Sequence, residues 1–166
     1  MSFNVCFVSC ESNAYKKPSH FPENDNALNS GNKRIDTAYM YTGYYFLTEG
    51  PGGVNMKKEN SDEIYTISKV PFASVNNIVK AELEQNKLDG KTYNNLCMTF
   101  DAEGTKDLEE GTGNPRHPQI AIVIANKLLY VVDNNVNFTT GMMCVALVGY
   151  FKMEMEMMLQ AVLDKK

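Results

Sequence analysis

The residues with the widest chemical range in this chain are four cysteines, Cys6, Cys10, Cys97 and Cys144, and two histidines, His20 and His117. A cysteine nucleophile needs a base within hydrogen-bond reach, and only the two histidines offer one. His117 lies in Asn114-Pro115-Arg116-His117-Pro118, at the mouth of a predicted strand, and such loops often carry catalytic groups. Cys97 or Cys144 could approach it, with Arg116 alongside, but the spacing does not require this. Cys6 and Cys10 are four apart on a predicted strand, so they share a face roughly 13 Å apart at about 3.3 Å per residue. They can neither bond each other nor chelate one ion, and zinc sites usually show closer pairs plus a second pair. The bland readings are favoured: Cys6 and Cys10 as small buried apolar groups, and His117 as a surface loop histidine.

Other candidate motifs fail their templates. The segment 101–118 is predicted as an acidic, glycine-rich loop holding Asp101, Glu103, Asp107, Glu109 and Glu110. Oxygen ligands on such a loop suit calcium, but the sixth and twelfth EF-hand positions counted from Asp101 are Lys106 and Thr112, where glycine and glutamate are needed. Gly50-Pro51-Gly52-Gly53 lacks the Lys-Ser/Thr and the helix of a phosphate loop, and reads as a turn. Asn137-Phe138-Thr139 matches a glycosylation sequon only by pattern. No cofactor and no metal is implied.

Two features point instead to a protein partner. Tyr39, Tyr41 and Tyr45 share a face of a predicted strand, counting by twos, and tyrosine is enriched at interfaces because it joins a large apolar body to a polar tip. Met153 and Met157 fall beside the apolar stripe of the predicted C-terminal helix, and methionine suits adaptable binding surfaces.

The elements that must position these residues follow from periodicity. Strands are predicted at 2–10, 35–48 (with a bulge at Gly43), 54–58, 63–70 and 92–100, and as a pair around Ala125-Asn126-Lys127 within 119–132. The run Gln119–Ile124 is almost wholly apolar and reads as a central strand. A helix is predicted at about 73–88, capped by Ser74, striped by Val75, Ile78, Val79 and Leu83, and ended by Gly90. A second helix is predicted at about 139–164. A long polar loop fills 11–33. The reading is a single α+β domain spanning 1–166, with a mostly antiparallel sheet of about six to seven strands and two helices.

Composition sets the outer limits. The net charge is −4, and Arg34 and Arg116 are the only arginines, which argues against nucleic-acid binding. The longest apolar stretch, Met142 to Phe151, is about half of the roughly 20 residues a membrane span needs. Without a secretory leader the expected setting is cytoplasmic, with reduced thiols. The abundance of Asn and the excess of Lys over Arg suggest an AT-rich genome, that of a phage or virus, a low-GC bacterium or a protist, so a virion also stands as an expectation. The function expected first is a structural or interaction subunit of a larger assembly without catalytic activity, joined to a protein partner or to itself. A ligand-binding or host-protein-inhibiting module and a small Cys/His enzyme are the alternatives.

Overall fold

The computed structural model describes Asp36 and residues 38–165. The predicted strand 2–10 with Cys6 and Cys10, and the loop 11–33 with His20, lie outside the described residues.

Strand β1 (Gly43–Phe46) is followed by the hairpin of β2 (Val54–Lys57) and β3 (Ile64–Ile67). Next come a two-residue strand β4 (Ala73–Ser74), a short 3-10 turn, and the long hairpin of β5 (Ile78–Leu88) and β6 (Lys91–Phe100). Helix α1 (Ala102–Gly111), the hairpin of β7 (Gln119–Ile124) and β8 (Lys127–Asp133), strand β9 (Met142–Ala146) and helix α2 (Lys152–Leu163) complete the order. The strands form three sheets, ordered β4-β1-β7-β8, β2-β3 and β5-β6-β9. Every strand pair among the described residues is antiparallel. The class is α+β, with mostly antiparallel sheets and two α-helices, as the sequence indicates.

The central strand is β7, held between β1 and β8. Its alternate residues serve two cores. Ile120, Ile122 and Ile124 join the larger cluster, with Leu96, Met98 and Phe100 of β6, Met143 and Val145 of β9, and Met155, Met158 and Val162 of α2. Ala121 and Val123 face the other way, into a smaller cluster with Val54, Met56, Ile67 and Leu128. An apolar run with no polar face is what a strand covered on both sides requires.

Three elements differ from the sequence reading. The helix predicted at 73–88 is instead β4, the 3-10 turn and β5. Lys, Ala, Glu, Leu and Gln are strong helix formers, but Ala81-Glu82-Leu83-Glu84 also alternates with period two. Pairing with β6 decides the outcome, setting Ala81 opposite Met98 and Leu83 opposite Leu96. Asp89 and Gly90 both have positive φ, 51° and 74°, so Asp-Gly is a tight hairpin turn and not a helix end. The acidic loop 101–118 contains α1, whose N-cap is Asp101, its carboxylate accepting the Gly104 N–H at 2.8 Å. Finally, the C-terminal helix begins at Lys152 and not near 139. Residues 142–148 alternate, with Met143, Val145 and Leu147 buried and Met142, Cys144 and Val148 exposed, so this stretch is a strand and its exit. Gly149, at φ 84°, turns the chain into α2. The strand predicted at 35–48 contracts to β1, and Gly43 is its first residue: a Cβ there would lie 2.9 Å from the Ala73 carbonyl oxygen.

Tyr44 is buried in the larger core against Phe72 and Phe100, and its hydroxyl has no hydrogen-bond partner. Burial pushes its pKa well above the ordinary value, and that of Tyr45 up to about 12. An orphaned buried hydroxyl costs its full desolvation. Tyr44→Phe is therefore expected to raise unfolding stability by about 1 kcal/mol in a urea titration. Because the folded chain keeps both phenols protonated after the unfolded chain has lost its protons, stability measured against pH holds below about 10 and falls above it.

Candidate functional site

The residues singled out in the sequence separate into four places. Tyr45 is 1% exposed, and its hydroxyl donates to the Tyr41 carbonyl oxygen at 2.7 Å. It is a core residue of the smaller cluster, which corrects its reading as an interface residue. The parity count fails because β1 starts at Gly43, so Tyr39 and Tyr41 precede the strand. Those two are about half exposed and meet edge to face, with ring centroids 5.3 Å apart.

His117 stacks flat on Phe46, at 3.8 Å between centroids, and Phe46 stacks in turn on Phe72 at 4.4 Å. The histidine thus closes a three-ring column. Arg116 is exposed on the same loop. The loop is pinned from below by Asn134, a buried amide. Its Nδ2 donates to the carbonyl oxygens of Gly111 at 3.0 Å and His117 at 2.8 Å, and its Oδ1 accepts the Gly113 N–H at 2.9 Å. Thr112, also buried, accepts the Phe138 N–H at 2.9 Å. Gly111 lets α1 approach closely, since a Cβ there would collide with the Phe72 ring. The order around His117 is thus built by an amide and two packed faces.

Cys97 and Cys144 are opposite one another in the β6–β9 ladder and are joined in a disulfide. This corrects the expectation of reduced thiols, and in this form neither sulfur is a nucleophile. Neither cysteine hydrogen-bonds to His117 among the described residues. The covalent link closes a sequence separation of 47 residues, which in the chain-entropy account stabilises the fold by about 4 kcal/mol.

Of the acidic residues in this segment, Asp101 caps α1, and Glu110 pairs with Lys106 one turn before it at 3.6 Å. Among the described residues no group of three or more His, Cys, Asp or Glu side chains is arranged to hold a metal ion. Hollows among them include one along the β2–β3 turn at 57–62 and another beside Asp36, Ala38, Gly53, Val54 and Lys69. Both are open to solvent.

The last place is α2. Met155, Met158 and Val162 anchor it in the larger core, while Phe151, Met153 and Met157 are 79%, 70% and 66% exposed. The Phe151 N–H is capped by the Glu154 carboxylate at 2.9 Å, so the helix start is fixed and its apolar side chains are held out into solvent. Val148, on the approach to the helix, is exposed as well. The sequence alone does not single out Phe151 as an interface residue.

No protein-family model matches the chain, and no curated protein matches it in sequence. Two solved structures share its fold. One, titled as the structure and function of a membrane component SecDF that enhances protein export, aligns with a TM-score of 0.51 at 15% identity, covering 75% of this chain and 62% of that one. The other, SecDF in a super-membrane-facing form, aligns with a TM-score of 0.53 at 16% identity, covering 75% of this chain and 18% of that one. At that identity the likeness is one of fold, and this chain spans less than two-thirds of each SecDF chain. No helix among the described residues is long and apolar enough to cross a membrane.

Asn134→Ala would leave three polar groups of the 111–117 segment without their partner. It is expected to cost about 2–3 kcal/mol in chemical denaturation and to make this segment the first site of protease cleavage.

Proposed function

We propose that this chain is a non-catalytic interaction module of a larger assembly, and that α2 is its docking element. The observation that carries this is the exposed pair Met153 and Met157, one turn apart on a helix whose opposite side is anchored in the core, with Phe151 exposed at its N-cap. Large apolar side chains left exposed on a capped helix and at its start are stabilised by a partner's surface, and aromatic and methionine side chains are the types enriched there.

The occupant we name is a second copy of this chain. Lys152 and Glu156 flank the exposed methionines and pair with each other at 3.6 Å across one helical turn. If two α2 helices pack antiparallel about a twofold axis, Lys152 of each copy lies beside Glu156 of the other, and the methionines fill the seam. A twofold interface demands such self-complementarity.

Two observations bear on the setting. The fold likeness is to SecDF, described as a membrane component that enhances protein export. The Cys97–Cys144 disulfide suits an oxidising compartment better than a reducing one. We infer a module that works outside the reducing cytoplasm as part of a membrane-associated assembly, in place of a cytoplasmic or virion setting.

Light scattering after size-exclusion chromatography tests the reading. The wild-type mass is expected to rise from one copy toward two as concentration increases. A Phe151→Ser, Met153→Ser, Met157→Ser triple variant is expected to remain at one copy, with an unchanged melting temperature, because these side chains touch no core. A wild-type protein that stays at one copy at every concentration would reject self-association through α2.

A further inference from the structure

The disulfide lies on the face of the third sheet that points away from the core. In β6, Leu96, Met98 and Phe100 point inward, as do Met143 and Val145 in β9. Cys97 and Cys144 alternate with them and face outward. Beside them on that face are Glu82 of β5, opposite Cys97, and Thr99 and Met142, which pair directly across the β6–β9 ladder. The two cysteines are unequally covered. Cys97, on the middle strand, is 4% exposed, whereas Cys144, on the edge strand, is exposed.

Strand β9 buries Met143 and Val145 in the larger core, and its Ala146 carbonyl oxygen accepts the Tyr130 hydroxyl at 2.6 Å. It is five residues long and, among the described residues, is the edge of its sheet, pairing with β6 over Asn95 to Thr99. The disulfide lies at the middle of that ladder, at the third of its five residue pairs. Beyond β9 the chain passes through Leu147, whose N–H donates to the Asn94 carbonyl oxygen at 2.8 Å, and on into α2. A bond at the centre of a short edge strand therefore limits the freedom of the strand and of the segment leading to the helix.

We propose that Cys97–Cys144 is a reversible redox staple, opened at Cys144 by a dithiol reductant, that sets how firmly edge strand β9 is held to its sheet. The thiolate of the reductant attacks the exposed Cys144 sulfur. A mixed disulfide forms there, and the Cys97 sulfur leaves as the thiolate and takes up a proton. The second thiol of the reductant then attacks the reductant's own sulfur in the mixed disulfide. It closes the oxidised dithiol and releases Cys144 as a thiol. Two electrons pass from the reductant to the protein. The backbone ladder and the inward side chains Met143 and Val145 remain, so the reduced protein stays folded with β9 loosened.

The test uses the full chain under native conditions, with dithiothreitol as the reductant. Alkylation and peptide mass mapping follow Cys97 and Cys144, and amide hydrogen exchange compares 142–146 with the central strand at 119–124. The expected result is that both cysteines become alkylated while 119–124 stays protected, and that protection at 142–146 falls by roughly tenfold or more. Three results would overturn the proposal: cysteines that are labelled only as 119–124 also exchanges, unchanged protection of 142–146 after complete reduction, or free thiols at both positions in protein kept under oxidant. A Cys97→Ser, Cys144→Ser double variant is expected to match the reduced protein and to ignore dithiothreitol. A variant that still responds would assign the effect to another site and count against the staple. The wild-type comparison stands on its own if that variant does not fold.

Discussion

The structure depends on burying one six-residue strand from both sides. β7 contributes Ile120, Ile122 and Ile124 to one core and Ala121 and Val123 to the other, and all five are at most 6% exposed. Every other layer is placed by this demand. The β2–β3 hairpin covers one face of the sheet, while α2 and the β5-β6-β9 sheet cover the other. A polar residue at any of the five positions would be buried without a partner, so neither core tolerates a register slip in β7. At about 25 cal/mol per Å² of apolar surface, a strand covered on both faces gains from both cores.

Around that strand, the chain uses small residues and turns to bring elements close. Gly104 and Gly111 let α1 lie against Phe100 and Phe72, and a Cβ at Gly104 would sit 2.5 Å from the Asn77 Cβ. The hairpin turns at Asp89-Gly90 and Ala125-Asn126 place two consecutive residues at positive φ, the geometry that matches strand twist. The second turn is fastened to the segment before β1, since the Asn126 Oδ1 accepts the Met40 N–H at 2.8 Å. The same logic makes His117 a packing residue. Its ring extends the stack of Phe46 and Phe72, and Asn134 holds its backbone, so a residue that suggests catalysis by type is accounted for by contacts.

What the sequence reveals here depends on whether the deciding contact is local. The β2–β3 and β7–β8 hairpins and β6 are legible because alternation and turn residues sit side by side. The β5 segment is not, because Lys80 to Leu83 satisfies both periods and its partner strand decides between them. The Asp89-Gly90 pair was the local signal that favours the hairpin. Helix α1 is obscured because glycines occupy positions on its buried face where an apolar stripe would show. β9 is obscured by the opposite problem: Met142 to Val148 is apolar on both faces, so its alternation is invisible until burial is known. The disulfide joins residues 47 apart and leaves no trace in spacing. Of the interface candidates, Tyr39, Tyr41, Met153 and Met157 are exposed, Tyr45 is not, and Phe151 emerges only once the start of α2 is fixed.

The central functional claim is that the exposed face of α2 meets a second copy of the chain. The most direct test is methyl nuclear magnetic resonance of protein labelled at the methionine ε-carbons, recorded over a range of concentrations. The chain has ten methionines, which act as separate reporters. The account predicts that the Met153 and Met157 signals move with concentration while those of buried Met98 and Met158 stay fixed. Signals from Met153 and Met157 that do not change at any concentration would contradict it.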